Sequence, residues 1–320
     1  MSRGSELDRV ALLAAKFGRQ ATGATVGIGD DAAVLDRVDA PLVWTIDAQV
    51  EGTHFRLDWL SWQDVGWRSF MAAASDLGAM GASPIAALSA LVLAGHVDDA
   101  ALDALATGQA EAASVVGAPI VGGNLARGTE VSITTTVLGR AQRSILRSGA
   151  RPGDGVFLAG PVGMAAAGLV ALQRGAAGTN ADVDACIASW RRPRALIAEG
   201  LAMSAVATAA VDISDGLSCD AARIAEASAV TLVLDEARLR AASSALERAA
   251  AVLAHDALDL ALGGGEDYAL LATSPSPIRG FERIGTVEAG PAGVVLARVV
   301  LARVDGARVP VDPRGFDHFR

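Results

Sequence analysis

The residues best placed to do chemistry in this sequence are aspartates, and they stand beside glycines or at the ends of apolar runs. Asp30 and Asp31 follow Gly27-Ile28-Gly29, Asp47 closes Leu42-Val43-Trp44-Thr45-Ile46, and Asp76 lies in Ala74-Ser75-Asp76-Leu77-Gly78. Asp212 and Asp215 flank Ile213-Ser214, and Glu266-Asp267 follow Gly263-Gly264-Gly265. A carboxylate at the end of a buried strand requires a partner. Mg²⁺ is the natural one, because it takes oxygen ligands octahedrally and shares them with phosphates and water. The glycines would let backbone approach a phosphate closely. Taken singly, a Gly-Asp pair reads as a turn or a helix cap. Asp76 resists that reading, since it falls near the C-terminal end of an alanine-rich helix, where anions are disfavoured. Asp212 also lacks a capping role if Ser214 or Asp215 opens the next helix.

Other ways of holding a nucleotide are excluded by residue type. Lys16 is the only lysine, and no glycine loop precedes it. A Walker-type site needs Gly-Lys-Ser/Thr, and protein kinases need a strand lysine. Gly27-Ile28-Gly29-Asp30-Asp31-Ala32 matches the loose dinucleotide pattern, with Glu51 near the place of a ribose-binding acid. Two adjacent carboxylates would repel a bare pyrophosphate by about 4 kcal/mol per charge pair at close range, and no clean strand precedes the glycines. The net charge of −9 argues against nucleic acid. The longest apolar stretch, residues 82–95, is broken by Pro84 and too short to span a bilayer. The polar N-terminus lacks a signal-peptide pattern. The expectation is a soluble, cytoplasmic protein. Cys186 and Cys219 have no zinc or redox spacing and read as small buried hydrophobes.

The elements that must position these groups follow from periodicity. Helices are expected over 7–17, 63–80, 98–116, 164–173 and 194–207, and strands over 42–46, 85–94, 131–140, 156–159, 210–213, 231–234 and 267–272. The polar, turn-rich stretch Arg147 to Asp154 marks a boundary. Length favours two domains, 1–146 and 147–320. Strands and helices mix without strict alternation, so two α+β domains fit better than one doubly wound sheet.

Taken in order, Gly27 to Asp31, Val50 to Phe55, Ser75 to Ala82, Arg147 to Asp154, Asp212 to Leu217, Gly264 to Tyr268 and Gly315 to Phe319 resemble thiamine-monophosphate kinase. That family sits in the superfamily of aminoimidazole ribonucleotide synthetase and selenophosphate synthetase. The resemblance implies an N-terminal domain that binds ATP and metal and dimerises through its sheet, and a C-terminal α+β domain. It implies that ATP and thiamine monophosphate meet in the cleft between them, with in-line transfer of the γ-phosphoryl group. Asp30, Asp31 and Asp212 would be catalytic. Asp30, Asp31, Thr45, Ile46, Asp47, Asp76, Asn124, Asp212 and Asp215 would hold several Mg²⁺ ions directly or from behind. Gly123, Asn124, Arg147 and Ser214 would bind ATP, and His54, Glu266 and Phe316 the thiamine moiety. By residue type alone, His54 reads equally well as a structural hydrogen bonder, and Phe316 as core packing.

Two departures stand out, beside a third at Trp190-Arg191-Arg192-Pro193-Arg194, where the family tends to carry Arg-Pro-x-Pro-Arg. Asn124 occupies a place where the family carries a metal-binding aspartate, and Ile46 one where it carries a hydroxyl. The resemblance puts both around one metal position, so this chain could be a slowed or inactive member. An enzyme acting on another phosphorylated acceptor, or a regulatory relative without turnover, also stays open.

Overall fold

The computed structural model describes residues 5–18, 23–28, 30, 32–290, 298–313 and 315. They form two contact units: residues 1–77 with 82–142, and residues 78–81 with 143–320. Among the described residues no helix is long and apolar enough to cross a membrane.

The first unit begins with α1 (Glu6–Phe17), opened by a capping box in which Ser5 and Asp8 exchange side-chain and backbone hydrogen bonds. A small ribbon of β1 (Ala24–Val26) and β2 (Val34–Leu35) follows. Then come β3 (Leu42–Val50), α2 (Trp62–Ala79), β4 (Ser83–Leu93), α3 (Asp99–Val116), β5 (Ile120–Arg127) and β6 (Ser132–Arg140). The four long strands form a sheet in the order β3-β6-β4-β5. Alternation assigns its faces. Residues 43, 45, 47 and 49 of β3 point to the side covered by α2 and α3, as the Thr45–Asp76 and Ser89–Gln109 hydrogen bonds show. The two helices cross at glycines: a Cβ on Gly66 would overlap the Leu105 carbonyl, and one on Gly108 the Gln63 carbonyl. The other face is open and apolar, with Trp44 72% and Ile46 67% exposed beside Leu42 and Leu88.

The second unit contains β7 (Gly155–Ala159), α4 (Met164–Gln173), α5 (Ala181–Arg191), α6 (Ile197–Met203), β8 (Ala209–Asp212), α7 (Leu217–Ser228) and β9 (Val230–Asp235). It continues with α8 (Glu236–Ala242), α9 (Ser244–Val252), α10 (Ala257–Gly263), β10 (Leu270–Ser274), β11 (Glu282–Ala289), β12 (Arg298–Ala302) and β13 (Arg308–Val311). Its seven-stranded sheet runs β13-β12-β9-β11-β7-β10-β8, antiparallel except for β9 against β12. Every residue of β7 and β10 is buried. Phe157, Leu196, Met203, Leu270 and Ile278 lie in the core beside them. Burial pushes the Cys186 thiol up to about 11, in keeping with a small hydrophobe, whereas Cys219 is only half-buried.

The two α+β units match the expected fold class. Three local expectations differ. The strand expected to stop at Ile46 continues to Val50, because β6 pairs with all nine residues, so Asp47 lies inside a strand rather than at its end. The helix expected over 194–207 shrinks to Ile197–Met203: Leu196 supplies no side-chain cap, and residues after Met203 close into a turn through the Val206 amide on the Met203 carbonyl, 3.0 Å. The strand expected from Asp267 starts only at Leu270, because Glu266 and Tyr268 take positive φ, 64° and 51°.

Candidate active site

In the first unit, the Thr45 hydroxyl donates to Asp76 Oδ2, which answers why an aspartate survives in the last turns of α2. Asp47 shares that face of β3, and its Oδ1 accepts from the Ala48 amide at 2.7 Å. Asp30 is exposed, while Gly29 and Asp31 lie outside the described residues. Ile46 faces the opposite, open side. Register places Asn124 on that open side too, level with Ala90, Thr134 and Ala48. Ile46 and Asn124 therefore occupy the two edge strands, which lie three strand spacings or about 14 Å apart, and are offset by two residues along them. Gly123 and Asn124 are exposed, and Gly123 lies so close to β4 that a Cβ would overlap the Ser89 carbonyl. His54 Nδ1 accepts from the Val50 amide at 3.0 Å, which puts the neutral ring's proton on Nε2 and closes the turn after β3.

In the second unit, Asp212 ends β8 and is 5% exposed. The turn after it is organised by a residue that sequence reading missed. Asp220, buried in the first turns of α7, turns its Oδ2 back to accept the amides of Ser214, Asp215 and Gly216 at 3.0, 3.1 and 3.2 Å. Arg223 then donates to both Asp220 and Asp215. Burial pushes the Asp220 carboxyl up to about 6; the Arg223 charge pulls it down, and Asp215 pushes it up again. Burial opposes the Arg223 charge, but the Asp215 and Asp220 carboxylates outweigh it and hold its pKa above the ordinary value.

Beside this turn lies the glycine run. A Cβ on Gly265 would overlap the Ser214 carbonyl and one on Gly264 the Leu260 carbonyl, so these glycines admit protein backbone. The Glu266 amide donates to the Ser214 carbonyl at 2.7 Å, and the Glu266 carboxylate accepts from Trp190 Nε1 at 3.1 Å. Asp267 points away, to the start of α4, where Gly163 offers no side-chain cap. Its oxygens accept the Gly163 and Ala165 amides at 2.6 and 2.9 Å. Desolvation pushes this carboxyl up to about 7 against the pull of those donors. Gly315 packs on the same turn: a Cβ there would sit 2.6 Å from the Asp215 carbonyl and 2.7 Å from Cys219 Sγ. Phe316 lies outside the described residues.

Arg147 is exposed, in a loop tied to the far end of α7. Ser228 donates to its carbonyl and accepts the amides of Gly149 and Ala150, each at 3.1 Å. Within this unit the structure thus gathers Asp212, Ser214, Asp215 and Glu266, and sets Arg147 at the other end of a helix.

Among the described residues, no three His, Cys, Asp or Glu side chains gather as a metal-binding group. The donors do suit Mg²⁺ in kind: Asp76 with the Thr45 hydroxyl, Asp47, and the buried Asp212 offer hard oxygens. Asp215 has one oxygen engaged by Arg223. The sequence offers for Asp220 and Arg223 no more than an ordinary i,i+3 helix spacing, and Ser228 carries no motif.

Residues 29–141 match the AIR synthase related protein N-terminal domain, and residues 151–297 the AIR synthase related protein C-terminal domain. The thiamine-monophosphate kinase of Mycobacterium tuberculosis H37Rv is 37% identical over 286 residues, covering 87% of this chain and 84% of its own. This chain belongs to the thiamine-monophosphate kinase family. The Escherichia coli K12 thiamine-monophosphate kinase is 35% identical over 310 residues, 92% of each chain. The solved structure of AaThiL complexed with AMPPCP and TMP is 29% identical, with a TM-score of 0.79, covering 100% of this chain and 99% of that one. The kinase family likeness therefore spans both α+β units.

Proposed function

We propose that this chain transfers the γ-phosphoryl group of ATP to thiamine monophosphate, forming thiamine diphosphate and ADP. The observation that carries this reading is the match, along the whole chain, to a structure complexed with AMPPCP and TMP. AMPPCP stands in for ATP, with a carbon in place of the β–γ bridging oxygen. The acceptor is a phosphate monoester already ionised near neutral pH, so no residue is required to remove a proton from it. The task is to bring two polyanions together and align them.

Gly123, Asn124, Arg147 and Ser214 hold ATP. His54, Glu266 and Phe316 hold the thiamine moiety; His54 presents Nε2 while Nδ1 is anchored to Val50, and Glu266 is steadied by Trp190. Asp30, Asp31, Asp47, Asp76, Asp212 and Asp215 would hold Mg²⁺, with Thr45 orienting Asp76. Bound Mg²⁺ would neutralise phosphate charge and stabilise the transferring group. Arg147 supplies a planar, permanently charged donor for a phosphate. The enzyme works in the cytoplasm as a homodimer joined through the open sheet face of Trp44, Ile46, Leu42 and Leu88, an apolar patch of the kind that marks an interface.

A coupled assay of ADP release tests this reading. ADP release should require both thiamine monophosphate and Mg²⁺; release independent of thiamine monophosphate, or greater with another phosphorylated acceptor, overturns it.

A further inference from the structure

We infer that α7 is a strut setting the spacing between two ATP contacts, Ser214 and Arg147, and that Asp220 and Ser228 are the positioning residues clasping its ends to them. At the start of the helix, one oxygen of Asp220 collects the amides of Ser214, Asp215 and Gly216, and the other binds Arg223. At its end, Ser228 Oγ collects the amides of Gly149 and Ala150 and donates to the Arg147 carbonyl. The helix has 12 residues and is about 18 Å long; along it Asp220 and Ser228 stand about 12 Å apart at 1.5 Å per residue.

Both clasps reach beyond the helix. Gly216 is the N-cap and has no side chain, whereas Asp220 reaches out from inside the helix to three consecutive amides before it. Ser228 bonds a loop 78 residues away in sequence through the Ala150 amide. A hydroxyl has one donor and two acceptor places. Ser228 gives all three to the backbone of residues 147–150, and so fixes that loop. Asp220 is wholly buried, so it reaches the nucleotide only through the turn it holds, residues 214–216. A single rigid element thereby holds two loops that reach different parts of one nucleotide. The inference rests on the proposal above that Ser214 and Arg147 both contact ATP.

The test uses the full-length protein and Ser228→Ala, Ser228→Thr and Asp220→Asn. Calorimetric Kd for AMPPCP with Mg²⁺ is measured beside KM for ATP and for thiamine monophosphate. Ser228→Ala should weaken AMPPCP and raise KM for ATP about tenfold, leave KM for thiamine monophosphate within twofold, and be restored by Ser228→Thr. Asp220→Asn should weaken AMPPCP from the other end. An unchanged Kd in Ser228→Ala overturns the strut, as do an equal rise in both KM values and a failed rescue by threonine. If wild type binds AMPPCP but makes no thiamine diphosphate, the kinase reading fails while the Kd values still decide the strut. If wild type does not bind AMPPCP, the strut falls with its premise.

Discussion

Asp267→Asn probes a carboxylate on which two physical effects pull in opposite directions. Amides at the start of α4 donate to it, which favours the charged form, yet enclosure opposes the charge and wins, setting the carboxyl near 7 against an ordinary 3.8. In the unfolded chain it ionises at its ordinary value. Between about pH 4 and 7 the folded state therefore keeps a proton that the unfolded state releases, so this group's contribution to stability is full at the acid end and is lost as pH rises through 7. A shift of this size corresponds to about 4 kcal/mol, at 1.36 kcal/mol per pKa unit. Asparagine has the same shape, does not titrate, and accepts amides on its one oxygen while offering an NH₂ on the other side. Its own cost, a buried amide left facing that NH₂, is about 1–3 kcal/mol. Urea unfolding of both proteins at steps from pH 4 to 8 gives the difference in stability, in which all other titrating groups cancel. Wild type should lose its advantage over Asp267→Asn as pH rises, by up to about 4 kcal/mol. An advantage that grows with pH would mean that the helix-start donors outweigh enclosure, and would refute the reasoning.

Thr45→Val removes the hydroxyl that orients Asp76 and should raise the Mg²⁺ concentration for half-maximal activity about tenfold, in the range for groups supporting metal ligands; an unchanged Mg²⁺ titration would detach Asp76 from metal binding. Asn124→Asp should raise turnover or lower the Mg²⁺ requirement, and no change in either would discard the idea that the neutral amide weakens the site. Gly265→Ala should destabilise by about 1–3 kcal/mol, because its methyl meets the Ser214 carbonyl; an unfolding midpoint equal to wild type would show that the backbone there gives way. Trp44→Arg puts a charge in the open apolar face and should turn a dimer into a monomer in sedimentation; a mass unchanged from wild type would place any interface elsewhere.

Much of the fold was legible, because helices such as α3 and α4 and strands such as β4 and β6 carry clear periods of their own. What failed were elements decided by partners. Asp47 sits mid-strand because β6 pairs beyond Ile46, and the strand after Asp267 starts late because Glu266 and Tyr268 adopt positive φ next to the Ser214 turn. The candidate site shows the same division. The Thr45–Asp76 hydrogen bond explains an aspartate that the helix rules made anomalous. The glycines of residues 264 and 265 were read as room for phosphate, but close approach to carbonyls of the same unit accounts for them. The roles of Asp220, Arg223 and Ser228 were not legible because each also bonds a loop outside the helix: residues 214–215 for Asp220, Asp215 for Arg223, and residues 147–150 for Ser228. The facing of Ile46 and Asn124 depends on sheet register, which neither residue's neighbours in sequence reveal.

The most direct test follows the phosphoryl group itself. Incubated with ATP labelled at the γ-phosphate, thiamine monophosphate and Mg²⁺, the protein should move the label into the terminal phosphate of thiamine diphosphate, one for each ADP formed. Label recovered only as inorganic phosphate, or left in ATP across a range of Mg²⁺ concentrations, would contradict the assignment.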